Sequence, residues 1–256
     1  MSPLLKAYEK DCQASRMAAP DLPACLNQAY RQLGCDPDPV FVEVNQKIIG
    51  LLEADAKDAE HAYHNRHHVG DVIAAVVLLI SQTDIAPDAR TSLAHSMITA
   101  ALGHDVHHDG FGTSSDLDLE RKSATAVLAI GRDAGISRAN LAFIEGLILA
   151  TYPPVQLDLR QKLASGEKPD RKDLFALMFG EADVLASLTP TFGKALSVTL
   201  SEEWRKAGRS FPSMPDDDAG RTLFLGCYRL VTPSAQRLGV DVMVSEQLRI
   251  LERKAL

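Results

Sequence analysis

All eight histidines of the chain lie between His61 and His108. They form two tight groups, His61-Ala62-Tyr63-His64-Asn65-Arg66-His67-His68 and His104-Asp105-Val106-His107-His108-Asp109, with His95 between them. Neutral imidazole is the commonest protein ligand for transition metals, and it titrates near physiological pH. The grouping therefore points to a metal site, a proton-transfer site, or both. A low-complexity metal-binding tract is the bland alternative. The histidines are instead interleaved with apolar periodicity deep inside the chain. His64 and His68 are four residues apart, which on a helix sets them one turn apart on one face. His104 and His108 share that spacing if a helix continues past Asp105. A helix ending here could aim the imidazole of His104 and the carboxylate of Asp105 into one pocket. Two imidazoles with carboxylates suit Zn²⁺, Fe²⁺ or Mn²⁺, and additional waters would admit Mg²⁺.

The elements that must position these groups read as helix after helix. Leu93, Ala94, Met97, Ile98, Ala101 and Leu102 recur at helical spacing, so the sequence predicts a helix from Pro87 to Asp105. Ser114-Ser115-Asp116 is a capping cluster for a helix from Leu117 to about Ile130. Another helix should run from about Arg138 to Ala150, stopped by Pro153-Pro154. Asp170 is placed to cap a long helix reaching Leu188. Further patterns cover about Leu4 to Met17, Leu22 to Leu33, Val40 to Ala54, Val69 to Gln82, Thr191 to Lys206, Gly220 to Val231 and Val242 to Lys254. No alternating strand and no hairpin signal stands out. Two loops, 109–116 and 210–218, stand out as connections, and the first could shape the entrance of a site.

The bulk numbers narrow the function. A chain of 256 residues can bury its core as a single domain. A net charge of −7 argues against a general nucleic-acid-binding surface, but not against a nucleotide substrate if a metal supplies positive charge. Cys12, Cys25, Cys35 and Cys227 show no CxxC spacing and read as reduced thiols of a cytosolic protein. The first residues lack the apolar core of a signal peptide. The run Val72 to Ile80 is too short to span a bilayer. The expectation is a cytoplasmic protein without a membrane partner.

At the motif level the chain resembles a known family. Tyr63-His64-Asn65-Arg66-His67-His68-Val69-Gly70-Asp71-Val72 looks like the YHNxxHxxDV signature of class I cyclic-nucleotide phosphodiesterases. His104-Asp105-Val106-His107-His108-Asp109-Gly110 is similar to their HDxxHPG, with Asp109 where proline is usual. Leu119-Glu120 resembles the family's LE dipeptide, and Ile148-Leu149-Ala150-Thr151 its ILATD segment. Glu181-Ala182-Asp183-Val184 resembles the segment carrying its last metal aspartate. Order and spacing agree over roughly residues 60 to 190. The wider group is the HD superfamily of metal-dependent phosphohydrolases, which are all-helical.

The resemblance implies an all-α, single multi-helix HD-domain bundle over residues 1–256, with the metal-site core at about 60–190. It implies that His68, His104, Asp105 and Asp183 ligate one metal, and that Asp105 bridges to a second. His64 would be the general acid. His108 would sit one layer behind the ligands or near the second metal, and Glu120 would orient His64 or a metal-bound water. Asn65 and Asp71 would be structural supports. The implied cofactor is one or two divalent ions, Zn, Mn, Fe or Mg. The implied reaction is metal-dependent hydrolysis of a small phosphoester, a nucleotide or cyclic-nucleotide phosphodiester foremost, by hydroxide attack with a histidine acid. Lys122 and Ser123 stand where the phosphodiesterases carry histidines, and Tyr152 where they carry aspartate. Gln247 lacks the context of the family's purine-clamping glutamine. These departures keep two other readings in play, a di-iron HD-type oxygenase and a non-catalytic ligand-binding protein. His61, His67, His95 and His107 read as structural or surface residues, and Tyr152 and Trp204 as packing residues. The sequence leaves a homo-oligomer open.

Overall fold

A computed structural model describes residues 1–58, 61–110, 117–166, 169–209 and 213–254. Among the described residues there are thirteen helices and no strand. They are α1 (Pro3–Ser15), α2 (Leu22–Leu33), α3 (Pro39–Asp58), α4 (Arg66–Ser81), α5 (Pro87–Gly103), α6 (Asp118–Asp133), α7 (Arg138–Leu149), α8 (Pro153–Ala164), α9 (Arg171–Leu188), α10 (Phe192–Lys206), α11 (Asp218–Cys227), α12 (Pro233–Leu238) and α13 (Val240–Lys254). The architecture is all-α, as the periodicity and the family resemblance both imply. No described helix is long and apolar enough to cross a membrane.

Three helices are buried on nearly every side. α4 buries Val69, Val72, Ile73, Ala75, Val76, Val77, Leu79 and Ile80. Every residue of α5 from Leu93 to Gly103 is buried, and so are most of those in α9 from Leu177 to Leu188. A helix that is apolar all round must sit inside a shell of others. α4 packs on α9, α5, α2 and α1, and the surrounding helices cover the remaining faces. One continuous apolar cluster runs from Leu5 to Val244.

Buried polar groups tie the shell to this centre. Glu9 of α1 accepts the first amides of α10, from Thr191 (2.7 Å) and Phe192 (2.8 Å). Glu181, fully buried on α9, accepts from the amides of Val231 (2.5 Å) and Thr232 (3.0 Å) at the start of α12. The Arg221 guanidinium of α11 donates to the carbonyls of Ser187 and Thr189, and to Gln247 Oε1 on α13. Gln247 also donates to Leu188 O at 2.7 Å, so its side chain serves packing. A buried carboxylate or guanidinium is tolerable only when its hydrogen-bonding capacity is met in this way.

Two helices escaped the sequence reading. Pro153-Pro154 does not merely stop α7; these prolines open α8, because the first helical turn needs no amide donors. α12 spans six residues, too few to display a period. α11 starts at Asp218, capped by Asp217 rather than from Gly220, and ends at Cys227. The expected cap Ser114-Ser115-Asp116 lies outside the described residues, as do 111–116 and 210–212 of the two loops.

α5 and α6 approach closely at Gly103, the residue before His104. A Cβ there would lie 2.2 Å from Val127 Cγ2. Val127 is stiff and buried, so it cannot swing away. Gly103→Ala should destabilise the fold by about 1–3 kcal/mol, seen as a lower thermal unfolding midpoint. An unchanged midpoint would show that the helices separate freely.

Candidate metal centre

The three buried helices bring their chemistry to one point. α4 contributes His68 from its first turn, α5 ends at Gly103 with His104 and Asp105 just beyond, and α9 contributes Asp183. His68 Nε2 lies 3.1 Å from Asp183 Oδ1, 3.3 Å from His104 Nε2 and 3.5 Å from Asp105 Oδ2. His104 Nε2 lies 3.2 Å from Asp105 Oδ2 and 3.4 Å from Asp183 Oδ1. Ligands held tetrahedrally at about 2.0–2.1 Å from one ion are about 3.3–3.4 Å apart. The spacing observed here is that of a ligand cage.

The protons support the same conclusion. His104 Nδ1 donates to Ala101 O at 2.9 Å, which leaves a lone pair on Nε2, facing the cluster. Asp105 Oδ2 is buried and has no hydrogen-bond donor. Lone pairs and carboxylate charge converge in a buried space, an arrangement that costs free energy unless a cation or a proton balances it. With protons alone, burial opposes the charged imidazole, yet Asp105 and Asp183 outweigh it and hold His104 well above the usual histidine range. Burial likewise opposes ionisation of Asp183, but hydrogen bonds from His104 and His68 pull it well below the usual carboxylate range. The donor set of two imidazoles and two carboxylates fits a divalent transition ion.

His64 sits beside this cage but not on its helix. The helical spacing suggested one face shared with His68. The structure begins α4 at Arg66, with Asn65 as its cap, so His64 precedes the helix. Asn65 Oδ1 accepts from the amides of His67 (3.0 Å) and His68 (3.1 Å), while Nδ2 donates back to the carbonyls of His61 and Ala62. One side chain thereby fixes His64 relative to His68. Their ring centroids are 5.9 Å apart.

His64 Nδ1 makes a short hydrogen bond to Glu203 Oε1 on α10. The other carboxylate oxygen, Oε2, accepts from the amides of Tyr63 (2.8 Å) and His64 (3.1 Å). Burial raises Glu203, but the His64 bond and charge outweigh it and bring the carboxyl down to about 2. Burial pushes His64 the other way, toward neutrality; the bond to Glu203 and the charges of Asp105, Glu203 and Asp183 outweigh that and raise its pKa. The sequence reading missed Glu203, one of a pair of exposed-looking acids far downstream. A signal did exist. Glu203 follows Leu196 and Leu200 on the buried stripe of α10, where a carboxylate needs a partner.

The remaining groups line a cavity of about 430 Å³ that includes His64, His108, Asp105, Arg66, Asp55 and Lys122. α5 does not continue to His108; the chain turns at His104–His107 instead. The His108 ring stacks on His64, with centroids 3.8 Å apart and planes 22° apart. Burial and the neighbouring His64 charge lower His108 to about 4. Glu120, in the first turn of α6, has a buried Oε2 without a hydrogen-bond partner. Burial raises its pKa, a backbone hydrogen bond opposes this, and the charges of Asp105 and Asp183 raise it further. Glu120 therefore lies within electrostatic reach of the cage.

The residues that depart from the phosphodiesterase motif brace the turn after His104. Lys122 Nζ donates to His107 O at 3.3 Å, and Ser123 Oγ to Val106 O at 2.7 Å. Tyr152 precedes α8 and is not among the residues lining the cavity. Trp204 packs against the core. His95 stacks on Phe41 away from the site, and His67 lines a separate cavity between α1, α2 and α4. His61 Nε2 donates to His108 O at 2.9 Å.

Residues 63–128 match the family model of the 3′5′-cyclic nucleotide phosphodiesterases, a class I family of the HD superfamily. No curated protein matches the chain. The matched segment contains His64, His68, His104, Asp105, His108 and Glu120, while Asp183 and Glu203 lie beyond it. The match supports a phosphodiesterase enzyme, and the His/Asp cluster fits a metal site.

His107 has φ 61°, a left-handed conformation that L-residues pay to adopt. Asp55 on α3 clamps it, accepting from the His107 amide at 2.9 Å and lying 3.1 Å from Nδ1. Asp55→Ala should therefore destabilise the chain by about 1–3 kcal/mol in urea unfolding. His107→Gly should be more stable than His107→Ala by about 1 kcal/mol, because glycine adopts this φ freely. Equal stability of the two would refute the strain.

Proposed function

We propose that this chain hydrolyses a small phosphoester, a nucleotide or cyclic-nucleotide phosphodiester foremost, at one or two divalent ions. The juxtaposition that carries the reading is a four-donor cage at metal-ligand spacing beside a histidine–carboxylate pair. His68, His104, Asp105 and Asp183 would hold the ion, and Asp105 would be the group shared with any second one. Such an ion supplies Lewis-acid neutralisation of phosphoryl charge and acidifies water. The site draws on residues from His61 to Glu203, so the reading treats residues 1–256 as one functional unit.

The protein's own part is proton delivery and orientation. Glu203 holds the Nδ1–H of His64 and stabilises the imidazolium, which raises the pKa of the ring. His64 then gives its Nε2 proton to the leaving oxygen as the P–O bond breaks, and Nδ1–H stays with Glu203. This is general-acid catalysis by a histidine oriented by a carboxylate. Asn65 and Tyr63 keep the ring in place. Tyr63 Oη lies 2.7 Å from Ser187 Oγ on α9, the helix that carries Asp183.

The test pairs metal content with two substrates of different leaving group. The Mn²⁺-loaded chain should hydrolyse bis(4-nitrophenyl) phosphate and an alkyl phosphodiester. His104→Ala and Asp183→Ala should lose metal and activity together. His64→Ala should keep its metal and lose about 10²–10⁴-fold on the alkyl ester, with little loss on the nitrophenyl ester, whose leaving group needs no acid. Full alkyl-ester activity in His64→Ala would remove the acid assignment. In Glu203→Gln the pKa of His64 should fall. The acid must be protonated, so the decline of rate with rising pH should move to lower pH.

A further inference from the structure

His108 lines the cavity beside His64, and the proton transfer just described does not use it. Its main chain is held at both ends: its amide donates to Asp105 O at 3.1 Å and its carbonyl accepts from His61 Nε2 at 2.9 Å. Its Nδ1 accepts from the Gly110 amide at 3.0 Å. Glycine is required there, because φ is 71° and a Cβ would lie 2.3 Å from His61 Nδ1. A backbone amide can only donate, so Nδ1 must carry a lone pair while that bond stands. An imidazole with a free lone pair on Nδ1 is neutral and carries its one proton on Nε2. The His64 ring lies nearly parallel, 3.8 Å away, and its bond to Glu203 favours its charged form; two stacked cations would repel.

This proton assignment also disposes of a competing use. His64, His108 and Glu203 have potential ligand atoms within 4.8 Å of one another and could be read as a second metal site. The Gly110 bond puts the hydrogen of His108 on Nε2, and the Glu203 bond occupies His64 Nδ1. His108 Nε2 then carries a hydrogen rather than a lone pair, so this ring is not a ligand while the Gly110 bond stands.

We propose that His108 is a fixed, neutral Nε2–H donor that binds a phosphoryl oxygen of the substrate while His64 serves the leaving oxygen. The assignment of the substrate group rests on the phosphoester reading; the proton assignment does not. Two parallel rings then offer two donors to one phosphate group, one charged and mobile in its proton, the other neutral and permanent. A donor fixed before the substrate arrives stabilises developing phosphoryl charge without reorganisation.

Long-range ¹H–¹⁵N NMR of the full, metal-loaded chain tests the first half: His108 should show a protonated Nε2 and an unprotonated Nδ1. The second half is read from His108→Ala and His108→Gln on the two esters above. Both variants should keep the wild-type metal content. His108→Ala should lose about 10–100-fold in kcat/KM, equally on the nitrophenyl and alkyl esters, because the phosphoryl group is common to both. His108→Gln, which restores an N–H donor, should recover part of the loss. Loss of metal from either variant would make His108 a ligand and overturn the proposal. So would a protonated Nδ1, a loss confined to the alkyl ester, or no loss at all. If the wild-type chain hydrolyses neither ester, the substrate half falls with the phosphoester reading, and the NMR result still decides the proton assignment.

Discussion

The structure is organised around a repulsion. His68 Nε2 lies 3.1–3.5 Å from Asp183 Oδ1, His104 Nε2 and Asp105 Oδ2, and His104 Nε2 lies 3.2 Å from Asp105 Oδ2 and 3.4 Å from Asp183 Oδ1, all in a buried space. No helix packing by itself favours such an arrangement, since each atom brings electron density toward the others. The surroundings must hold the four in place until a positive charge balances them. Much of the rest of the fold can be understood as that restraint. α4, α5 and α9 are apolar on nearly every side and pack together; α4 begins and α5 ends at the cage, and α9 passes it at Asp183.

Around the cage, polar side chains act in pairs of opposite duty. Asn65 caps α4 and grips the chain before it, so His64 and His68 are held together. Glu203 binds both the ring and the main chain of His64. Asp55, Lys122 and Ser123 each take a main-chain group of the turn after His104. Lys122 and Ser123 thus brace the segment that presents His108.

How much of this was legible in the sequence follows from range. The apolar periodicity of α5 and the cap Asp170 act over three or four residues, and they read directly. The His-Asp motifs read as a set because imidazoles and carboxylates recur at short spacing. The helix shared by His64 and His68 did not materialise, because the Asn65 side chain competes for the amides of the first turn and starts the helix after itself. Glu203 lies 139 residues from His64, and Asp55 lies 52 from His107. No local rule joins residues at such distances. They become partners only through the packing of α10 and α3, which is a property of the whole fold.

The cage also carries a thermodynamic consequence. Its donors come from three helices, and His68 and Asp183 are 115 residues apart, so an ion bound there closes a long loop that the unfolded chain cannot close. An ion that binds the folded form alone adds stability in proportion to the logarithm of its free concentration, about 1.4 kcal/mol for each tenfold rise above its dissociation constant. The resistance of this chain to unfolding is then a quantity shared with its surroundings. Withdrawal of an ion so bound would weaken the scaffold as a whole.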